Sequence, residues 1–156
     1  MKTGKLILKI FAVLILCISL FYAFIFCTKN EESGVKFGNI ITDYQNFYSN
    51  LIFRNNIKKV LNHNEDGLIY LVEIPTGGAH GYEMGYIITQ IIYKVGEQNF
   101  KSMLLNLSYE QQLNALSYID VGLEYGDNDY DGEMDNTKFE DEFPILYEYY
   151  NSMRDK

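Results

Sequence analysis

Cysteine, proline and tryptophan are scarce or absent in this chain of 156 residues, which has two cysteines, two prolines and no tryptophan. Both cysteines, Cys17 and Cys27, lie in or beside one apolar run near the N-terminus. The residues after Cys27 therefore cannot form a disulfide framework, even in an oxidising compartment. They must fold on a hydrophobic core, and about 115 residues are enough for one such domain but not for two.

The familiar sequence signatures of catalysis are also missing. The chain has no G-x-S-x-G, H-E-x-x-H, P-loop, G-x-G-x-x-G or C-x-x-C motif. It has only two histidines, His63 and His80, and neither has an obvious serine or carboxylate partner in the sequence. These absences argue against a hydrolytic enzyme, and we predict that the protein is not an enzyme.

A long apolar segment near the N-terminus predicts a membrane helix. Residues 10–27 contain no charged side chain, and Lys2, Lys5 and Lys9 precede them. Residues 6–27 exceed the roughly 20 mostly apolar residues that a helix needs to cross a bilayer. Because lysines favour the cytoplasmic side, we expect a single-pass anchor in the cytoplasmic membrane, with the N-terminus inside and the rest of the chain outside.

A cleaved signal peptide is the alternative to an anchor. Signal peptides have a shorter apolar core and small residues before the cleavage site. Here Phe24, Ile25 and Phe26 precede Cys27. This order suits neither cleavage nor lipid modification of the cysteine, so we favour the uncleaved anchor.

The part of the chain after residue 27 is strongly acidic. It holds all 21 acidic residues and ten of the 13 basic ones, a net charge of −11 against −8 for the whole chain. Nucleic acid is excluded as a partner on this basis, because it requires a basic surface. Cations and basic protein surfaces are the partners that such a charge favours.

Composition divides the chain into an anchor, residues 1–27, a polar tether, residues 28–39, and an acidic helical domain, residues 40–156. Within the domain, Gly67–Ile74 is short and apolar, as a buried strand or a short helix would be. We favour a helix there because the sequence offers no second strand-like run to pair with it.

Five or six short helices are predicted in this domain. Thr42 with Gln45, and Ser108 with Gln111, have the spacing of capping boxes that open helices, and Pro144 suits a first helical turn. Apolar residues recur behind them at the spacing of three and four that is typical of amphipathic helices. The predicted core-facing residues are Tyr44, Phe47, Tyr48, Leu51, Ile52, Ile57, Val60, Leu61, Met84, Ile87, Ile88, Ile91, Ile92, Val95, Phe100, Met103, Leu104, Leu107, Leu113, Leu116, Ile119, Leu123, Ile145, Tyr149 and Met153. The expected fold is all-α, a small irregular bundle or a HEAT-like stack.

The segment 127–138, DNDYDGEMDNTK, resembles the first half of an EF-hand-type calcium loop, D-x-[DN]-x-[DN]-G. Alternating carboxylates around one glycine allow a short chain to curve around a hard cation that takes only oxygen ligands. The pattern departs from the EF-hand at its last position, where Lys138 replaces the bidentate glutamate. A solvated acidic turn is therefore the alternative. The predicted Ca²⁺ ligands are Asp127, Asp129, Asp131, Glu133 and Asp135.

Two further segments have both a functional and a structural interpretation. Residues 75–85 place four glycines around His80 and Glu83, as in a binding loop or in a tight connector. These two side chains alone are too few for a metal site. The aromatic residues of segment 139–150 could form a partner surface or one face of the core.

The sequence as a whole predicts a membrane-anchored, extracytoplasmic, acidic helical domain that acts in protein interaction. One concrete version is an immunity or inhibitor protein that neutralises a basic partner at the membrane. The alternative function is a calcium-stabilised domain that depends on the loop at 127–138.

Overall fold

The computed structural model describes residues 2–28, 30–38, 46–127 and 134–154. The chain divides into two compact units, Met1–Asn30 and Glu31–Lys156. The described residues are mostly helical, with one two-stranded hairpin. The all-α class predicted from the sequence is confirmed.

The first unit is the helix α1, Lys2–Thr28. Its segment Ile7–Phe24 is long and apolar enough to cross a membrane. Large apolar side chains are exposed along this segment, as a membrane-spanning helix requires and a core helix does not. The N-terminal apolar helix predicted from the sequence is therefore confirmed as a candidate membrane span.

The second unit begins with an antiparallel hairpin of two strands, β1 (Glu31–Glu32) and β2 (Val35–Lys36). The turn residues Ser33 and Gly34 both have positive φ, of 54° and 79°, which suits the right-handed twist of a two-residue hairpin. Val35 and Phe37 are buried in the core of this unit. The composition of residues 28–39 predicted a polar tether, whereas Val35 and Phe37 contribute two side chains to the core.

Helix α2 spans Phe47–Leu61. Asn46 caps it, because its Oδ1 accepts a hydrogen bond of 2.9 Å from the Ser49 N–H. The capping box predicted at Thr42 and Gln45 lies outside the described residues, as does Tyr44. The helix buries Phe53, Ile57 and Val60 completely. Tyr48 is 72% exposed, so its predicted place in the core is wrong.

Helix α3 spans Glu65–Val72, which confirms the helix favoured for this apolar segment. Asn64 caps it by accepting from the Asp66 N–H. Gly67 is buried where α3 packs on α2, and a Cβ at this position would lie 2.6 Å from the Asn56 carbonyl oxygen. The two helices can approach this closely only because position 67 lacks a side chain.

Helices α4 (Ala79–Val95) and α5 (Glu97–Leu104) are separated only by Gly96, whose φ is 84°. Positive φ is far less costly for glycine than for other residues, so the direction of the chain changes here within one residue. All six apolar residues predicted for the core face of α4 are buried, and so are Phe100, Met103 and Leu104 of α5.

Helix α6 spans Tyr109–Tyr125 and begins with the predicted capping box. The Ser108 N–H donates to Gln111 Oε1 over 2.9 Å, and the Gln111 N–H donates to Ser108 Oγ over 3.4 Å. Leu116, Ile119 and Leu123 are buried as predicted, whereas Leu113 is only half-buried.

Two helices follow at the C-terminal end, the single turn α7 (Phe139–Glu142) and α8 (Pro144–Arg154). The start of α8 at the proline is confirmed, and α7 was not predicted. The core residue of the first turn of α8 is Leu146, while the predicted Ile145 is half-buried. The Leu146 N–H donates to Glu97 Oε1 over 2.8 Å, which ties α8 to α5.

Helices α4 and α6 make the most extensive helix–helix contact of the unit. They cross at Gly85 and Gly122, where a Cβ on Gly122 would lie 2.2 Å from the Gly85 carbonyl oxygen. The Thr89 hydroxyl donates to that same oxygen over 2.9 Å. The crossing therefore brings two backbones into contact and fixes the position of the acidic C-terminal end of α6.

Candidate functional site

The predicted calcium loop is described at its two ends only. Asp127, directly after α6, and Asp135, shortly before α7, are described. Asp129, Asp131 and Glu133 lie outside the described residues. Of the five predicted ligands, the structure therefore locates the first and the last.

Main-chain hydrogen bonds close the base of this loop. The Asp135 N–H donates to the Gly126 carbonyl over 2.9 Å, and the Thr137 N–H donates to the Leu123 carbonyl over 3.0 Å. Asn136 between them has a φ of 49°, which asparagine tolerates better than most residues. The chain before α7 consequently returns to the C-terminal end of α6, with Asp135 bound to the residue that precedes Asp127. Within ranges 2–28, 30–38, 46–127 and 134–154, no group of three or more His, Cys, Asp or Glu side chains is arranged to hold a metal ion.

An open cleft of about 430 Å³ lies beside this loop. We call it the acidic cleft. Three carboxylates line it, from Asp120 and Glu124 on α6 and from Glu140 on α7. The other lining residues are Asn136, Thr137, Lys138, Phe139 and Tyr147.

The charges around the acidic cleft are poorly compensated. Asp120 and Glu124 are four residues apart on one face of α6, a spacing at which like charges repel. Lys138 Nζ lies 3.9 Å from Glu140 Oε1, with side chains 71% and 49% exposed. An ion pair this exposed contributes little free energy. The cleft is thus an anionic recess with one aromatic wall, the Tyr147 ring, which packs edge-on against Phe139 at 5.6 Å.

A tyrosine pair extends this surface. The rings of Tyr82 and Tyr125 meet edge to face, with centroids 5.0 Å apart, and remain 50% and 43% exposed. The Tyr125 pKa is raised, chiefly because its hydroxyl hydrogen-bonds to the Glu124 carboxylate. Glu124 therefore belongs both to the cleft and to the tyrosine pair.

Tyr93 connects α4 to the same acidic region. Burial raises the pKa of Tyr93 well above its ordinary value, and a hydrogen bond to Glu142 and the nearby charge of Asp135 raise it further. Its ring also packs on Phe143 with centroids 5.2 Å apart. The neutral phenol is thus the form that suits this position.

The glycine-rich segment 75–85 is mostly helical rather than a loop. Helix α4 begins at Ala79, so His80, Glu83 and Gly85 all lie within it. Glu83 is buried, and Gly38 lies close to its carboxylate, since a Cβ there would be 3.0 Å from Oε1. His80 and Glu83 therefore both lie on α4. Among the residues that the structure describes, neither belongs to a group of three or more side chains that could hold a metal ion.

The C-terminal aromatic residues divide between core and surface. Phe139 and Phe143 are buried, whereas the tyrosines of α8 are half-buried. Tyr149 donates to Gln112 Oε1 over 2.5 Å. Most of this aromatic set therefore packs α7 and α8 on the core, and Tyr147 also lines the acidic cleft.

A buried polar cluster near the hairpin was not predicted from the sequence. The Arg54 side chain is 2% exposed, and it donates to Asn50 Oδ1 at 2.5 Å and to the Glu31 carbonyl at 2.9 Å. Its Nη1 lies 3.9 Å from Glu32 Oε2, and Lys58 Nζ lies 3.2 Å from Glu32 Oε1. Arg54 and Lys58 share one face of α2 at four-residue spacing, and that was the only signal in the sequence.

Gln90 is a second buried polar residue that the sequence did not reveal. Its Oε1 accepts from the Lys36 N–H over 2.8 Å, and its Nε2 donates to the Lys36 carbonyl over 2.7 Å. The side chain thus pairs with β2 as a neighbouring strand would. This contact attaches the hairpin to α4.

The chain was also compared with known proteins. It matches no protein-family model, no curated protein and no solved structure.

Proposed function

We propose that the protein is a single-pass membrane protein with its N-terminus in the cytoplasm, whose acidic helical domain outside the membrane binds a basic protein. The proposal concerns binding and not catalysis. Its most concrete form is an immunity or inhibitor protein that neutralises a basic partner at the membrane. We also propose an irregular bundle rather than a HEAT-like stack, since α4 and α6 pack centrally and the other helices surround them.

The observation that carries this proposal is the concentration of exposed carboxylates near the C-terminal end of α6. Residues 102–156 contain thirteen acidic and three basic residues. Asp120, Glu124 and Glu140 surround an open cleft there, and Lys138 compensates them only weakly. Such a surface attracts a basic partner over long range and repels an acidic one.

Site-specific photo-crosslinking in intact cells tests the binding proposal. A photoreactive phenylalanine analogue is placed at Tyr125, beside the acidic cleft, or at Tyr48, an exposed control on α2. We expect adducts with a basic protein from position 125 and not from position 48, and we expect 0.5 M salt, roughly a Debye length of 4 Å, to abolish them. Adducts with an acidic protein, or equal adducts from both positions, would contradict the proposal.

Membrane topology is tested separately. In a Cys17→Ser/Cys27→Ser background, a cysteine is introduced by Ser152→Cys, at an exposed position on α8. We expect a membrane-impermeant maleimide to label it in intact cells, because the lysines before the apolar run favour the inside. Labelling only after cell lysis would place the domain in the cytoplasm and overturn the proposed orientation.

A calcium-stabilised domain is the second candidate function. It is favoured by the hydrogen bond from the Asp135 N–H to the Gly126 carbonyl, which brings the last predicted ligand next to the residue that precedes Asp127, the first. We expect millimolar calcium to raise the melting temperature of the full chain in detergent micelles, and Asp127→Ala/Asp131→Ala to remove the increase. An equal increase in this variant, or no increase in the original chain, would exclude the candidate.

A further inference from the structure

Two exposed tyrosines from different helices contact each other beside the acidic cleft. Tyr82 and Tyr125 come from different helices, α4 and α6, and contact each other while about half of each side chain stays exposed. Large aromatic rings are usually buried for their apolar area. Exposed and mutually supported rings are typical of residues that become buried when a partner binds.

The tyrosine pair is continuous with the carboxylates. Glu124, which lines the acidic cleft, directly precedes Tyr125 on α6, and both side chains are exposed. Asp120 lies one helical turn before Glu124 and lines the same cleft. Two half-exposed rings and two exposed carboxylates therefore lie next to each other on one surface, which we call the tyrosine–carboxylate surface, formed by Tyr82, Asp120, Glu124 and Tyr125.

This combination matches the chemistry of one cationic group. A guanidinium is planar, stacks on aromatic faces and donates two parallel hydrogen bonds to a carboxylate. A lysine ammonium is a strongly hydrated point charge and gains less from such a surface. A bare metal ion would need several convergent carboxylates, and the residues that the structure describes contain no such group.

We propose that the tyrosine–carboxylate surface binds arginine side chains of the basic partner and selects them over lysine. The inference rests on the proposed function, because it names the group that the acidic domain recognises. Long-range attraction comes from the whole acidic region, whereas the choice of arginine comes from the two rings and the carboxylates beside them.

The test measures binding of fluorescein-labelled hexa-arginine and hexa-lysine peptides by fluorescence anisotropy. The protein is the full chain in nanodiscs of zwitterionic lipid, so that the bilayer does not attract the peptides. The test variant is Tyr82→Leu/Tyr125→Leu. The control variant is Tyr48→Leu/Tyr109→Leu, which also removes two exposed rings and leaves the net charge unchanged.

We expect the original chain to bind hexa-arginine about fivefold more tightly than hexa-lysine, the effect of one or two exposed cation–π contacts. The test variant should lose this preference by weakening only the arginine complex, and the control variant should keep it. A test variant that retains the preference, or a control variant that loses it equally, would overturn the role of the tyrosine pair while leaving charge-driven binding intact. Absence of binding of either peptide to the original chain at low salt would instead overturn the proposed function.

Discussion

The two halves of the folded unit handle charge in opposite ways. Residues 31–101 contain six basic and eight acidic residues, whereas residues 102–156 contain three and thirteen. In the first half, Arg54 and Glu32 are buried and make hydrogen bonds and ion pairs with their neighbours. In the second half, the Lys138–Glu140 pair is exposed to solvent.

This difference follows from the free energy of burying charge. A buried ion must recover its lost hydration from partners, so buried charges come with hydrogen bonds and opposite charges. An exposed carboxylate keeps its hydration and needs no partner, so many can accumulate on one surface. The first half therefore uses charge to attach the hairpin to α2, and the second half presents charge to the solvent.

The largest expected effect is the loss of the buried arginine. Arg54→Ala should lower the free energy of unfolding by about 2–4 kcal/mol, because Asn50 Oδ1 and the Glu31 carbonyl lose a charged donor and the hairpin loses this attachment, while Lys58 still pairs with Glu32. Lys138→Ala, the control from the acidic half, should cost less than about 1 kcal/mol. Urea unfolding of the full chain in detergent micelles, followed by near-ultraviolet circular dichroism, measures both. If the two variants lost equal free energy of unfolding, the proposed difference between buried and exposed charge in the two halves would be wrong.

A second prediction concerns the crossing of α4 and α6, which joins the two halves. Gly85→Ala should destabilise the fold by about 1–3 kcal/mol, because the new methyl group would overlap the backbone of α6; its Cβ would lie 2.6 Å from the Tyr118 carbonyl oxygen.

Gly81→Ala is the matched control for this crossing, since it lies on the same helix with nothing within 4 Å of the added atom. It should stabilise the helix by about 0.5–1 kcal/mol, because alanine is the better helix former. The same urea unfolding experiment compares the two variants. If both variants changed stability in the same direction, the close approach of α4 and α6 would not explain the effect of Gly85→Ala.

A third prediction tests the accumulated charge of the second half. Asp120→Asn should stabilise the protein by about 0.3 kcal/mol at low salt, because it relieves repulsion from Glu124 near the C-terminus of α6. Glu110→Gln removes the same charge from the first turn of α6, where a carboxylate is favourable, and should destabilise by a similar amount.

Melting temperatures at low and high salt measure this pair of variants. Both effects should shrink at high salt, because they arise from exposed charges. A stabilising effect of Asp120→Asn that persisted unchanged in high salt would exclude repulsion as its cause.

The smallest expected effect is a dependence on alkaline pH where the halves meet at Tyr93. Because the pKa of Tyr93 is raised by folding, its contribution to stability is fully present below about pH 10 and is lost as the pH rises through the folded value. The melting temperature should therefore fall less steeply above pH 10 in Tyr93→Phe than in the original chain. Identical pH profiles would show that ionisation of Tyr93 does not contribute to the loss of stability at alkaline pH.

Local patterns in the sequence predicted much of the fold. The capping box at Ser108 and Gln111, the core face of α4 and the start of α8 at Pro144 all depend on residues within one or two helical turns. Such interactions are local and are visible as spacing. Gly67–Ile74 remained ambiguous because a short apolar run suits a buried helix and a buried strand alike.

Contacts between distant segments were not predictable in the same way. The hairpin was hidden in a polar segment, and its burial depends on Arg54 and Gln90, which are more than twenty residues away. The tyrosine pair joins positions 82 and 125, and the acidic cleft joins α6 to α7. A single sequence carries no record of which distant residues meet.

The sequence by itself therefore determined the all-α class, the apolar N-terminal helix and the starts of α6 and α8, because these follow from composition and from spacing along the chain. Only the tertiary structure decided which charges are buried and paired and which surround a cleft. It also decided that two glycines bring α4 and α6 together. The reason is physical: burial and ion pairing depend on distances through space, and those distances exist only after the helices have packed.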